Sequence, residues 1–276
     1  MSGDGAWSRT GRRLRRAPLV ALHVLAGIVV AALLRPGRNG MVSDRPLVLW
    51  SRVLCWIMGV RAIVTGVPAG GAVLFVANHV SWLDIFCIAG VCPTHFLAKR
   101  EVADWPLFGW LSRRAGTVFI RRGGDNGAGE AAEQLTWRLR NGGRVLVFPE
   151  GTSTVGETVR RFFPRLFQAA ILARCPVQAI ALRYRHRDGV HPAVPFVGDA
   201  SLLPHLWRLL GERRIEVELR FREPLSTLGR TRNELADHTR AQIDGVLSGA
   251  GTVRPPASAL VGQAQPGGRG RNGYWA

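Results

Sequence analysis

The sequence contains almost no lysine and few acidic residues. Lys99 is the only lysine among 37 basic residues, and 19 acidic residues leave a formal net charge of +18. An excess of this size favours an anionic partner, either a phospholipid surface or a nucleic acid. We attribute the preference for arginine over lysine to codon usage in a high-GC genome, so only the excess itself carries information about function.

Sequence patterns of several other functional classes are missing. No recognised nucleic-acid-binding motif accompanies the arginine-rich runs, so no nucleic-acid partner is expected. A Gly-x-Ser-x-Gly nucleophile elbow is absent, which argues against a lipid hydrolase. Cys87 and Cys92 are five residues apart, which fits no common zinc site, and there is no other metal-ligand cluster. The sequence therefore predicts no metal site, and buried free thiols in a reducing compartment.

The N-terminal region predicts attachment to a membrane. Residues 1–16 form a basic tail with five arginines, and residues 17–34 contain no Asp, Glu, Lys or Arg. This apolar length is close to the roughly 20 residues that span a bilayer. A second apolar stretch, 47–60, contains Trp50, Arg52 and Trp56, which suit an interfacial or re-entrant helix. We expect residues 17–60 to form a two-helix anchor that either crosses the membrane as a hairpin or lies monotopically, with the basic tail in the cytoplasm.

Short β-rich runs alternate with helical runs from about residue 62. The runs predicted as strands are 62–65, 73–77, 117–120, 144–148, 177–183 and 215–222. Those predicted as helices are 101–115, 128–141 and 161–173. The alternation predicts an α/β fold over residues 61–250, with a mainly parallel central sheet flanked by helices. Residues 251–276 are rich in Pro, Gly and Arg and are expected to be disordered.

A histidine and an aspartate follow the predicted buried strand 73–77. Polar residues at the carboxyl end of a strand in an open α/β sheet point into the usual ligand crevice. His79 lies there, and Ser81 is placed to cap the next helix with Asp84 in its first turn. A turn can bring the imidazole back to Asp84, whose carboxylate would hold one ring nitrogen while the other accepts a proton from an alcohol. The alternative is an aspartate that only caps the helix.

Four ordered motifs carry a family resemblance. The segment Asn78-His79-x4-Asp84 resembles the first motif of the glycerolipid acyltransferase family, and segments 118–122, 148–152 and 175–180 resemble the second, third and fourth. The resemblance covers about residues 60–225. It implies transfer of an acyl group from acyl-CoA or acyl carrier protein to a lysolipid hydroxyl, without a further cofactor. It also implies that His79 and Asp84 act as a general-base pair at the cytoplasmic face of a bacterial inner membrane.

Six further positions are candidate substrate-binding residues: Lys99, Arg122, Glu150, Gly151, Thr152 and Arg165. Arg122 offers a fork of donors for a lipid phosphate. Gly151 permits close backbone approach, and Thr152 can donate to a phosphate or an oxyanion. Glu150 is a poor phosphate ligand, so we expect it to orient Arg122 or to accept from the acceptor hydroxyl. Lys99 and Arg165 are expected to add positive charge near the phosphates.

The acceptor is less constrained than the reaction. Many family members have an arginine directly after the third motif, where this chain has Ser153, and the Lys-Gly pair common downstream is also missing. The chain resembles, in these two respects, the branch of the family that acylates lyso-ornithine lipid. Lysophosphatidic acid is the first expectation, and lyso-ornithine lipid or another lysophospholipid is the alternative. A lipid hydrolase and a basic nucleic-acid-binding protein are the alternatives outside this class.

Overall fold

The computed structural model describes residues 6–33, 44–104, 108–114, 116–120, 125–187, 189–249 and 272–275. Within them, strands β1 to β9 are Val60–Thr65, Val73–Ala77, His95–Lys99, Val118–Ile120, Arg144–Val147, Val177–His186, Gly189–Val190, Ile215–Phe221 and Asn272–Trp275. Helices α1 to α9 are Ala6–Leu33, Asp44–Met58, Leu83–Ala89, Arg100–Ala103, Phe108–Arg114, Asp125–Arg140, Gln168–Ala173, Leu202–Leu210 and Arg232–Leu247. A 3₁₀ helix, Pro164–Phe167, leads into α7.

The strands form one mixed sheet in the order β4-β3-β5-β2-β6-β8-β1-β9, with β7 paired to β6. The pairs β1–β8, β2–β5, β2–β6, β3–β4 and β3–β5 are parallel. The pairs β1–β9, β6–β7 and β6–β8 are antiparallel. The predicted α/β fold with a mainly parallel sheet is therefore confirmed.

Strand β2 lies at the centre of the core, and all five of its residues are buried. Its side chains alternate between two hydrophobic clusters. Phe75 belongs to the cluster beneath α1, α2 and α3, whereas Leu74 and Val76 belong to the cluster beneath α6, α7 and α9. A strand that is covered on both faces needs apolar side chains at every position, which explains the uninterrupted run in the sequence.

Three predicted boundaries are wrong. The helix predicted over 101–115 is divided into α4 and α5, and residues 105–107 between them lie outside the described ranges. The helix predicted from residue 161 begins only at Pro164, because a residue before proline disfavours the α conformation and Phe163 is extended. Residues Asn272–Trp275, predicted to be disordered, pair as β9 with the outer edge of β1, where strand β1 would otherwise leave backbone groups unpaired.

Helix α1 includes most of the predicted basic tail, because it begins at Ala6 and not near residue 17. Its length and composition would allow it to cross a membrane, and only 11% of its apolar 18-residue stretch is buried in the protein. Helix α2 follows as the second half of the predicted anchor, with Leu49 and Trp56 largely exposed. These exposed side chains are those that a lipid environment would cover.

Arginines from α1 bind the carboxyl end of α8. Arg12 Nε donates to the Gly211 carbonyl at 2.7 Å, and Arg13 Nε donates to the Trp207 carbonyl at 3.0 Å. Arg16, which is buried, donates to the carbonyls of Leu210 at 3.2 Å and Glu212 at 2.6 Å. The last carbonyls of a helix have no partner within the helix and favour positive charge, so α1 supplies what this end of α8 lacks.

Candidate active site

His79 and Asp84 form a hydrogen-bonded pair at the carboxyl end of β2. The distance from His79 Nδ1 to Asp84 Oδ2 is 2.8 Å. The Asp84 side chain is fully buried, while 21% of the His79 side chain is exposed. Because an ionised carboxylate only accepts hydrogen bonds, it fixes the imidazole proton on Nδ1 and leaves Nε2 as the basic nitrogen. The turn predicted to bring the two side chains together is present.

The Asp84 carboxylate is held by three donors besides His79. Its Oδ2 accepts from the backbone N–H groups of Val80 at 2.7 Å and Ser81 at 2.9 Å. Its Oδ1 accepts from the Tyr184 hydroxyl at 2.6 Å. Burial, together with the negative charge of Asp84, raises the pKa of Tyr184 well above its ordinary value, so the phenol keeps its proton and donates.

Ser81 does not cap helix α3, which corrects one prediction. The helix begins at Leu83, its N-cap position is Trp82, and no side chain bonds to the N-cap site. The Ser81 hydroxyl is buried without a hydrogen-bond partner among the described residues. The N–H of Asp84, which a cap by the Ser81 side chain would bind, donates to the Ser81 carbonyl at 3.1 Å.

Neighbouring strands supply the surroundings of His79. Because β5, β2 and β6 are parallel neighbours, their carboxyl ends meet at one edge of the sheet. Phe148, which follows β5, stacks on the His79 ring with centroids 4.0 Å apart and an angle of 17°. Asn78 binds the main chain of Leu182 in β6 twice, through Nδ2 to the carbonyl at 3.0 Å and through Oδ1 from the N–H at 2.8 Å. These contacts hold the segment that carries His79 on both sides.

Glu150 binds the main chain on either side of the site. Its Oε1 accepts from the His79 N–H and its Oε2 from the Arg160 N–H, each at 2.9 Å. Burial raises the pKa of Glu150, and the two backbone hydrogen bonds oppose that rise. The predicted partners were Arg122 or the acceptor hydroxyl. The observed contacts join the His79 segment to the loop after the third motif. Arg122 lies outside the described residues, so its pairing with Glu150 stays a prediction.

Comparison with known proteins identifies the family. Residues 61–183 match the family model described as Acyltransferase. The chain is 43% identical over 243 residues to the lyso-ornithine lipid O-acyltransferase of Pseudomonas aeruginosa, an alignment that covers 86% of this chain and 93% of that protein. The chain belongs to the acyltransferase family.

Two further proteins resemble this acyltransferase in sequence or in fold. It is 38% identical over 149 residues to the 1-acyl-sn-glycerol-3-phosphate acyltransferase of Neisseria gonorrhoeae, covering 54% of this chain and 58% of that protein. It also resembles the crystal structure of PlsC, a 1-acyl-sn-glycerophosphate acyltransferase from Thermotoga maritima, with a TM-score of 0.67 and 20% identity. That alignment covers 88% of this chain and 95% of PlsC, so the two share a fold.

The other predicted substrate-binding residues of the acyltransferase lie around the third motif or outside the described part. Gly151 has a φ of +70°, which a residue with a Cβ rarely adopts, and its N–H donates to the Phe148 carbonyl at 3.0 Å. Thr152 is exposed beside it, and Arg165 is exposed on the 3₁₀ helix. Arg122 and the Lys99 side chain lie outside the described residues. Their predicted roles stay predictions.

Two contacts of the acyltransferase site were missed. Tyr184 lies in β6, one hundred residues from Asp84, and only the pairing of β6 with β2 brings it close. A tyrosine in a buried strand needs a partner for its hydroxyl, and this was the available signal. Trp82, next to the catalytic turn, donates from Nε1 to His205 Nδ1 of α8 at 3.0 Å. Helix α8 was not predicted, although it is strongly amphipathic and this periodicity was the available signal.

Proposed function

We propose that this acyltransferase moves a fatty acyl group from a thioester to the free hydroxyl of lyso-ornithine lipid. The observation that carries the proposal is the His79–Asp84 pair, in which Nδ1 binds a buried carboxylate while 21% of the His79 side chain is exposed. A thioester is already activated, so the reaction needs a base for the attacking hydroxyl and donors for the developing oxyanion. Neither requirement calls for a covalent enzyme intermediate.

The proposed reaction is a direct transfer. His79 Nε2 takes the proton of the acceptor hydroxyl as its oxygen attacks the thioester carbonyl carbon. The tetrahedral intermediate then collapses with cleavage of the carbon–sulfur bond, and the departing thiolate takes the proton back from the imidazolium. The products are an ester and a free thiol, and His79 is returned to its starting state. Asp84 stabilises the imidazolium during the step and does not itself take a proton.

The residues after the third motif support lyso-ornithine lipid as the acceptor. Ser153 stands where many family members have an arginine, and its hydroxyl donates to the Phe196 carbonyl. Ser153 therefore stabilises the loop through this hydrogen bond and provides no positive charge for a lipid head group. Lyso-ornithine lipid carries one carboxylate and one amine, whereas lysophosphatidic acid carries a phosphate monoester, which needs more positive charge. The 43% identical relative is named for the former acceptor.

Lysophosphatidic acid is the second candidate. The Neisseria relative, 38% identical over the part of the chain that carries the motifs, is named for that acceptor. The large arginine excess also suits a phosphate-bearing substrate. Either acceptor is compatible with the same chemistry at His79.

The proposed location is the cytoplasmic face of the bacterial inner membrane. The exposed apolar surface of α1 supports insertion in a bilayer, and the exposed Arg9 and Arg15 near its N-terminus would attract anionic lipid on the cytoplasmic side. Acyl-CoA and acyl carrier protein, the two candidate donors, are both anionic and both cytoplasmic, so they fit this arrangement.

A product assay tests the proposal. Membranes that contain the full-length chain are incubated with labelled acyl-CoA or acyl carrier protein and with lyso-ornithine lipid, lysophosphatidate or lysophosphatidylcholine, and the products are identified by mass spectrometry. We expect ornithine lipid as the major product and none from a His79→Ala chain present at the same level. Phosphatidate as the major product would select the second candidate. Free fatty acid alone, or full activity in His79→Ala, would reject the proposed reaction.

A further inference from the structure

Tyr184 occupies a part of the acyltransferase site that the family motifs do not describe. Its side chain is 1% exposed, and its hydroxyl donates to Asp84 Oδ1 at 2.6 Å. This is a short bond, as expected for a hydroxyl that donates to a carboxylate. The opposite oxygen, Oδ2, accepts from His79 and from two backbone N–H groups. The two oxygens of Asp84 therefore have separate sets of donors.

The contacts of the phenol exclude a direct role with substrate. Both Tyr184 and Asp84 are buried, so neither meets an acceptor or a thioester, which must reach the exposed side of His79. Among the described residues, the other polar contact of the Tyr184 hydroxyl is the Cys87 thiol, at 3.9 Å. Burial raises the pKa of that thiol well above its ordinary value, so the neighbour is neutral and does not compete with Asp84 for charge.

We propose that Tyr184 is a positioning residue of the acyltransferase that sets the orientation and the hydrogen-bonding strength of Asp84 toward His79. The inference rests on the proposed function, in which His79 is the general base. A donor on Oδ1 restricts rotation of the carboxylate about its final bond, so that Oδ2 stays directed at Nδ1. It also draws negative charge away from Oδ2 and thereby limits how strongly Asp84 stabilises the imidazolium.

The charged and titratable groups around His79 and Asp84 decide in which direction the loss of the Tyr184 hydroxyl shifts the pH–rate profile. Asp84 from α3 and Glu150 after β5 face His79 with negative charge, and Arg160 lies beside Glu150. Tyr184 is the donor that faces Asp84 from β6. When the phenol hydroxyl is removed, more negative charge remains on Asp84, and the protonated imidazole becomes more stable. The acid limb of the pH–rate profile must then move to higher pH, because only neutral His79 accepts a proton.

Tyr184→Phe in the full-length chain tests the inference, since it removes one oxygen and keeps the ring in the core. We expect kcat to fall roughly 10- to 100-fold, because Asp84 loses a contact that orients it toward His79. The acceptor KM is expected to stay at the parental value, and the acid limb is expected to shift upward. A parental kcat with a parental profile would overturn the inference, even if the variant unfolds at a lower temperature.

Two further variants separate positioning from packing. Cys87→Ala removes the other contact of the phenol and keeps the bond to Asp84, so it is expected to retain the parental kcat and pH profile. In an Asp84→Asn background, Tyr184→Phe is expected to have little further effect, because the two changes act through one bond. Equal losses of kcat in Tyr184→Phe and Cys87→Ala, or independent effects of the two changes in the double variant, would assign Tyr184 to packing alone.

An NMR titration tests the inference without turnover. In chains with ¹⁵N-labelled histidine, the His79 resonance is assigned by its disappearance in His79→Gln and followed against pH. We expect its titration midpoint to lie at higher pH in Tyr184→Phe than in the parental chain. An unchanged midpoint would refute the inference. If the parental chain acylates no lysolipid, the proposed function fails, while the titration still decides whether Tyr184 acts on His79 through Asp84.

Discussion

Replacing Glu150 with glutamine tests how the turn from His79 to Asp84 is held in place. The side chain is 4% exposed, and its two oxygens accept from the N–H groups of His79 and Arg160 at 2.9 Å each. A glutamine has the same shape but only one acceptor oxygen. Its amide group must therefore face one of the two backbone donors with another donor, which breaks that hydrogen bond and leaves a buried N–H unpaired.

The expected loss of stability in Glu150→Gln follows from the loss of this one hydrogen bond. One hydrogen bond to a charged group is worth roughly 1.5–3 kcal/mol, so we expect the free energy of unfolding to fall by about 2 kcal/mol. Because the His79 N–H is one of the two donors, the imidazole also loses part of its positioning, and kcat should fall about 10- to 100-fold. The acceptor KM should change little, since both oxygens face the main chain.

The assay combines thermal unfolding of the detergent-solubilised chain with steady-state kinetics of Glu150→Gln. The matched control is Glu157→Gln, an exposed position in the same loop, for which parental stability and parental rates are expected. If Glu150→Gln keeps the parental unfolding temperature and instead raises the acceptor KM tenfold, the carboxylate contacts substrate as the sequence suggested. Parental values of kcat, KM and unfolding temperature would refute any role for its charge.

Three other variants probe separate parts of the site. Asp84→Asn is expected to lower kcat by a factor on the order of 10⁴, measured with saturating acceptor, because the amide no longer fixes the imidazole tautomer. Asn78→Ala leaves the buried N–H and carbonyl of Leu182 without their side-chain partners, so denaturant unfolding should show a loss of about 2–4 kcal/mol. Burial lowers the pKa of His205, so the unfolded chain binds a proton more readily there, and stability should be full at neutral pH and fall as the pH drops below about 6.5. That fall should be smaller in His205→Gln, and an equal fall in both chains would show that His205 does not contribute to it.

The parts of the site that are close in sequence could be predicted, and the parts that depend on strand pairing could not. His79 and Asp84 are separated by one turn, so a local motif with an apolar strand before it was enough to place them together. Tyr184 and Glu150 reach the same turn only because β6 and β5 lie on either side of β2. A single sequence contains no signal for the order of strands in a sheet, and for this reason the contacts of Glu150 with the main chain of His79 and Arg160 were not predicted.

In the fold too, some local elements could be predicted from the sequence, whereas contacts between distant segments could not. Strands with continuous apolar runs, such as β2 and β6, were found near their observed limits. Helix α9 was missed although Thr231 and Glu234 form a capping box, a pattern that marks a helix start at the sequence level. The partners of the N-terminal arginines could not be foreseen, because Arg16 binds carbonyls at the end of α8, almost two hundred residues later in the sequence.

The contacts of α1 with α8 and α5 set the position of this helix relative to the His79–Asp84 pair. Arginines near the start of α1 bind the end of α8, and Arg114 of α5 binds the Ala31 carbonyl near the other end of α1, at 2.8 Å from Nε. Helix α8 in turn meets the catalytic turn through His205 and Trp82. Helix α1 is thus joined to the rest of the enzyme near both of its ends. If α1 lies in the bilayer as proposed, these contacts also fix the distance between His79 and the lipid surface.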